Sequence, residues 1–202
     1  ATSQAKYWNN PAGWIEVVGY LKSLGYRVLC IDKEKCHGVG RHWNTIPYGV
    51  EDFTGSRPLQ DRVNMLSHAD FFIGLSSGLS WLAWGTGLPV IMISGFSLPV
   101  NEFYTPYRII NYHVCNGCWT DSSEEFVHSD FAWCPRHQNT PREFECSRYI
   151  SAGQVIQNID RLMKDYHLDP KASLAAMKHG NKKSATVVAG KSKHTKGGKN
   201  NA

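Results

Sequence analysis

Apolar residues along this chain recur with two alternating periods, and the alternation predicts the fold. Residues 11–24 (PAGWIEVVGYLKSL) place Trp14, Val17, Val18 and Leu21 at helical spacing, with Pro11 suited to a first turn and Gly25 to a stop. A short apolar run follows, Tyr26–Asp32, of the kind that forms a strand covered on both faces. The order then returns. An amphipathic helix over 58–68 (PLQDRVNMLSH) leads into an apolar strand over 69–74, Ser76-Ser77-Gly78 turns the chain, and 78–85 (GLSWLAWG) forms a third helix. Gly87-Leu88-Pro89 ends it before a third apolar strand, Val90–Ile93. Helices alternating with buried strands predict an α/β fold, a Rossmann-like parallel sheet with helices on both faces. Residues 152–166 (AGQVIQNIDRLMKDY) supply a closing helix with Val155, Ile159, Leu162 and Met163 on one side. The glycine- and proline-rich stretch 33–56 reads as loop.

Between about 111 and 148 neither period is sustained, and the segment is crowded with Trp119, Trp133, His113, His128, His137, Pro135 and Pro141. So irregular a stretch stays ordered if a metal staples it. The expected organisation is therefore an α/β domain over 1–110, a metal-binding module over 111–148, a closing helix of the α/β domain over 149–168, and a basic tail over 169–202. Residues Thr2–Lys6 read as the loop after a first strand that the sequence does not contain. That suggests the C-terminal domain of a longer enzyme.

At 202 residues and 42% hydrophobic, the chain has material for one core and a small extra module. Its net charge of +5 suggests nucleic acid until it is located. Of 22 lysines and arginines, eight are lysines from Lys171 onward, where no acidic residue occurs; that leaves 14 basic against 17 acidic residues elsewhere. The folded part is mildly acidic, and no nucleic-acid partner is expected. The tail has almost no large apolar residues, so disorder is its expected state. No stretch reaches the ~20 apolar residues of a membrane span, and the first residues lack a signal-peptide layout. The expected setting is cytoplasmic, with reduced thiols and no membrane partner.

Four of the cysteines, Cys115, Cys118, Cys134 and Cys146, follow the pattern Cys-x2-Cys-x15-Cys-x11-Cys. A Cys-x2-Cys pair with Asn116-Gly117 as its tight turn can aim two sulfurs at one point, and two further thiols complete a tetrahedron. Two disulfides or four unrelated buried thiols are the plainer alternatives. Chemistry alone leaves Zn2+ and a single iron equally suited. With four sulfurs bound, no coordination position stays open, so the role would be structural. The three histidines of the segment would then be peripheral.

Ligands of such sheets bind beyond the carboxyl ends of the strands. Ser76, Ser77, Gly78, Leu79 and Ser80 form a loop of that kind, with hydroxyls, a close-approach glycine and a helix N-terminus that favours a diphosphate. A serine N-cap with no ligand is the simpler reading. Lys6 lies on the same expected edge and could pair with a phosphate. Asp32 and the stretch Glu51–Gly55 could border a ribose or base, although both are more often plain turn residues.

The order Lys6-x-Trp8, Asp52-x-Thr54-Gly55, then Ser76-Ser77-Gly78-Leu79-Ser80-Trp81 and Ser94-Gly95-Phe96 resembles the donor-binding half of heptosyltransferases, which have the two-domain GT-B fold. Within them, the run from Phe71 through Cys118 and Trp119 is similar to the bacterial autotransporter heptosyltransferases, over roughly residues 2–163. The resemblance implies an enzyme that transfers heptose from ADP-heptose to serines of an autotransporter adhesin precursor, in a homo-oligomer. Lys6 and Ser76–Ser80 would be donor-binding, and Cys115, Cys118, Cys134 and Cys146 would hold ferric iron, one per chain. The catalytic base would lie in the other domain. Ser76 and Trp81 stand where the lipopolysaccharide enzymes have Asp and His, which favours the autotransporter branch. The rival readings are a transferase of the same fold using another nucleotide sugar and a non-catalytic metal knuckle that binds nucleic acid.

Overall fold

The five residues Phe71–Leu75 are all buried, and their alternating side chains feed two separate cores. The computed structural model describes residues 3–124, 132–171 and 186–190. In chain order its elements are α1 (Gly13–Ser23), β1 (Arg27–Cys30), the hairpin β2 (Cys36–Val39) and β3 (His42–Thr45), β4 (Glu51–Asp52), α2 (Leu59–Leu66), β5 (Phe71–Leu75), α3 (Gly78–Gly85), β6 (Val90–Ile93), β7 (Arg108–Ile109), α4 (Glu145–Arg148), α5 (Ala152–Asp165) and β8 (Thr186–Gly190). Six strands form one parallel sheet in the order β4-β1-β8-β5-β6-β7.

The period-2 alternation of buried strands decides which helix packs where. Phe71, Ile73 and Leu75 of β5, with Ile91 and Ile93 of β6, meet Val17, Val18 and Leu21 of α1 and Val155, Ile159 and Leu162 of α5. Phe72, Val90 and Met92 point the other way, onto Leu66 of α2 and Leu79 and Ala83 of α3. The parallel sheet with flanking helices is as expected, and so are the buried faces of α1 and α5. Trp14 is only partly buried, set edge-on to Trp8, whose indole N–H donates to the Ile150 carbonyl at 2.9 Å and so ties the chain's start to the entry of α5. Ser151 caps α5 reciprocally with Gln154.

Three features depart from the sequence reading. Within the expected loop 33–56 lies the hairpin β2–β3, paired from Cys36↔Thr45 to Val39↔His42. None of its residues is fully buried, so no apolar run announces it. The two-residue strand β7 pairs with β6 at Met92↔Arg108 and Ile93↔Ile109, too short to carry a period. The third departure is a correction. Thr186–Gly190 belongs to the tail expected to be disordered, yet it forms β8 between β1 and β5, in register with Arg27–Cys30 on one edge and Phe71–Gly74 on the other. Its composition is too mixed for a hydrophobic signal, and the backbone ladder on both edges accounts for its place. The remaining tail residues lie outside the described residues.

The strands run in one direction, but after β1 the chain moves outward to β4 on one side and after β5 to β6 and β7 on the other. The carboxyl ends flanking that reversal are where such sheets bind ligands. Because β8 closes the centre, Val188→Pro should remove a ladder donor and lower stability by about 1–3 kcal/mol, read as a lower urea midpoint. An unchanged midpoint would show that β8 contributes nothing to the folded state.

Candidate functional site

Ser76 and Ser77 leave the carboxyl end of β5, and Ser77 is the N-cap of α3 with extended backbone. Its hydroxyl caps no amide, and Ser77 Oγ is buried with no hydrogen-bond partner among the described residues. Ser80 is different: its hydroxyl donates back to the Leu75 carbonyl at 2.5 Å, and the side chain is fully buried. Leu79 packs into the core beneath α3. Of the five loop residues, then, Leu79 and Ser80 spend their side chains on the fold. Ser77 and the exposed Gly78 are the members turned outward or left unsatisfied.

Lys6 ends a 3-10 turn, Gln4–Lys6, and its ammonium lies 4.1 Å from the centroid of the Trp119 ring. Burial lowers the Lys6 pKa, and the negative charge of Glu102 raises it again. Trp119 is placed by its own amide, which donates to the Phe96 carbonyl just past β6. Lys6 and Ser77 therefore belong to the ends of the neighbouring strands β6 and β5. Glu102 was missed in the sequence. Its side chain is 3% exposed and pairs with Arg108, the first residue of β7, and burial raises its carboxyl pKa against the pull of that guanidinium. No local motif marks it, because the pair is made by the loop between β6 and β7.

On the other side of the reversal, Asp32 follows β1 and is buried, with its Oδ1 accepting the Lys33 amide at 2.7 Å. Buried Arg62 of α2 donates to the carbonyls of Asp32, Phe53 and Gly55 at 3.0, 2.6 and 2.9 Å, cross-linking the two loops. Asp52 accepts the hydroxyl and amide of Thr54, which with Lys35 hold its carboxyl down at about 2. Glu51 pairs with Arg27. The acidic residues of this stretch serve turns, as the plainer reading held; Arg62 is the residue that reading overlooked.

The cysteine segment docks on the same edge. Asn116-Gly117 forms the expected turn, with Gly117 in the left-handed region at φ 83°. Gly117 donates its amide to the Gly95 carbonyl at 2.8 Å, and a side chain at Gly95 would meet the Cys146 carbonyl oxygen at 2.6 Å. Cys118 and Cys134 share a small core with Ala5, Phe96 and Phe144. All six cysteines are free thiols. Burial first, and then the charges of Cys115 and Cys134, push the Cys118 and Cys146 thiols up to about 12.

The expectation of one compact four-sulfur set needs correcting. Among the described residues, the donor atoms that all lie within 4.8 Å of one another belong to Cys115, His137 and Glu145. Glu145 accepts the Cys115 amide at 3.0 Å and pairs with Arg142 at 2.6 Å, which draws the carboxylate and the first cysteine together. Arg136 donates to Cys115 Sγ at 3.4 Å and to the Asn116 carbonyl, holding the turn from outside. His137, placed at the periphery by spacing, stands in the tight group, and Glu145 was not foreseen. His113 is exposed and His128 lies outside the described residues.

No family model matches the chain. It is 67% identical over 162 residues to the autotransporter heptosyltransferase BAHTCr of Citrobacter rodentium, covering 80% of this chain and 40% of that protein. The chain is strongly homologous to part of the autotransporter heptosyltransferases. A solved structure of the dodecameric iron-containing heptosyltransferase TibC, in complex with ADP-D-β-D-heptose, superposes with a TM-score of 0.80 at 61% identity, over 82% of this chain and 43% of that one. The fold is thus that of part of a GT-B-like enzyme. An inactive autotransporter heptosyltransferase, BimC of Burkholderia thailandensis, is 42% identical over 152 residues, 75% of this chain and 36% of that protein. The chain spans about two fifths of the length of the curated relatives it matches. Among the described residues no helix is long and apolar enough to cross a membrane.

The contact between Gly95 and Cys146 is directly testable. Gly95→Ala should cost about 1–3 kcal/mol through overpacking and speed the reaction of buried thiols with a thiol reagent. Unaltered melting and unaltered thiol reactivity would show that the module does not rest on this strand end.

Proposed function

We propose that this chain is the donor-binding part of a protein O-heptosyltransferase, holding ADP-heptose for transfer to serine hydroxyls of an autotransporter adhesin precursor, within a homo-oligomer. The observations that carry the reading are a part-buried ammonium, Lys6, past the end of β6 and an unsatisfied buried hydroxyl, Ser77 Oγ, at the end of the neighbouring β5. They are joined to 61% identity with a relative solved in complex with ADP-D-β-D-heptose. Lys6 and the N-terminal turn of α3, from Ser76 to Ser80, would hold the diphosphate, and charge developing on the departing ADP would be offset there. Ser80 and Leu79 contribute backbone only, since their side chains are engaged. The base that takes the serine proton is assigned to no residue of this chain.

The same proposal gives Cys115, Cys118, Cys134 and Cys146 a structural iron, with zinc as the alternative metal. The donor types fit, four free thiols with three of them buried, while the tight donor group among the described residues is Cys115, His137 and Glu145. When bound, the ion would keep the thiols ionised and cross-link the segment. Glu145 and Arg136 would hold the Cys115 turn beside it, and no step of the transfer passes through it.

Calorimetric titration should show heat with ADP-heptose and markedly less with ADP-glucose or GDP-mannose. Lys6→Ala should weaken ADP-heptose about 10- to 100-fold, the range of a hydrogen bond to a charged group. Equal affinity for all three donors would overturn the assignment of the sugar. Treatment with a strong chelator, followed by elemental analysis, should remove one iron or zinc per chain, lower the melting temperature and expose Cys118, Cys134 and Cys146 to thiol reagents. A chain that melts unchanged after losing its metal would refute the structural role.

A further inference from the structure

The loop between β6 and β7 carries a group that the diphosphate contacts leave unused. Glu102 follows the turn Pro99–Asn101, and its carboxylate is 3% exposed. One oxygen, Oε2, accepts from Arg108, whose other terminal nitrogen donates to the Phe103 carbonyl at 2.7 Å. The other, Oε1, is buried without a hydrogen-bond partner among the described residues. An acceptor withdrawn from water and left unmatched is a standing cost to the fold, of the kind tolerated where a ligand completes the set. Lys6 feels the Glu102 charge, so the two groups share one neighbourhood.

A carboxylate repels phosphate, so its complement is a hydroxyl. Strand order decides which hydroxyl. The phosphate loop follows β5; Asp32 and the Arg62-locked loop follow β1 and β4 on one side, and Glu102 follows β6 on the other. A nucleotide sugar lying across the strand ends with its diphosphate at α3 puts its nucleoside and its sugar on opposite sides. The loops after β1 and β4 offer the nucleoside side, which leaves β6 and β7 for the sugar.

We infer that Glu102 Oε1 accepts a hydrogen bond from a hydroxyl of the transferred sugar, making Glu102 a specificity-determining residue oriented by Arg108. This rests on the donor-binding reading above. The test is calorimetry of the 202-residue chain with ADP and with ADP-heptose, for the wild type and Glu102→Gln. The expected result is a loss of about tenfold or more for ADP-heptose, with ADP changed less than about twofold. Equal losses for both ligands would overturn the inference, since Glu102 would then act through Lys6 or the nucleotide. So would no loss for either. If Glu102→Gln does not fold, Glu102→Asp retains the charge beside Arg108 while retracting the oxygens, and the same split between the two ligands is expected. A wild-type chain that binds neither ligand would remove the donor-binding reading itself, and this inference with it. One that binds both, with the variants indifferent to the sugar, removes this inference alone.

Discussion

A parallel strand buried on both faces cannot place its helices independently, and β5 imposes that constraint on the whole molecule. Its alternating side chains commit α1 and α5 to one face and α2 and α3 to the other. Its two edges commit β6 and β8 as neighbours. Its carboxyl end, where Ser76 and Ser77 emerge, then becomes the only place where the chain can turn from sheet into the N-terminus of α3. The position of the candidate site is in this sense a by-product of packing. What distinguishes it is the polar chemistry left unmatched there, namely Ser77 Oγ and Glu102 Oε1, beside a lysine stacked on an indole.

The cysteine segment is anchored to that edge through backbone more than through side chains. Gly95 and Phe96 lend their carbonyls to the amides of Gly117 and Trp119, and Gly95 lies directly against Cys146. Trp119 in turn carries Lys6. A disturbance of the cysteine turn therefore reaches the ammonium in two contacts. The proposed structural metal would thereby be linked mechanically to the proposed donor site, with no chemical part in transfer.

The sequence was informative where burial forces a period. The cores of α1, α5, β5 and β6 were legible from Val17, Leu21, Ile159 or Phe71 alone. It was uninformative where order comes from backbone pairing or from distant charges. The hairpin around Gly40 has no fully buried residue, β8 takes its place from two ladders, and Glu102 meets Arg108 only because β7 returns alongside β6. In the candidate site, the serine loop could be picked out because a strand-to-helix turn has a local signature, whereas Lys6 rested on an expected first strand and on the family resemblance. The internal use of Ser80 could not, since its acceptor is a carbonyl. The cysteine spacing predicted a shared neighbourhood, and it gave no sign that Glu145 would sit between Arg142 and the Cys115 turn.

Strand β8 also bears on the order of synthesis. A ribosome delivers β1, β5 and β6 long before Thr186–Gly190 emerges, yet β8 pairs with two of them at the sheet's centre. Until then β1 and β5 each present an unpaired inner edge, the type of surface that recruits strands from other chains. The emergence of Thr186–Gly190, more than the appearance of the earlier hydrophobic segments, would set the moment at which the centre of this sheet closes.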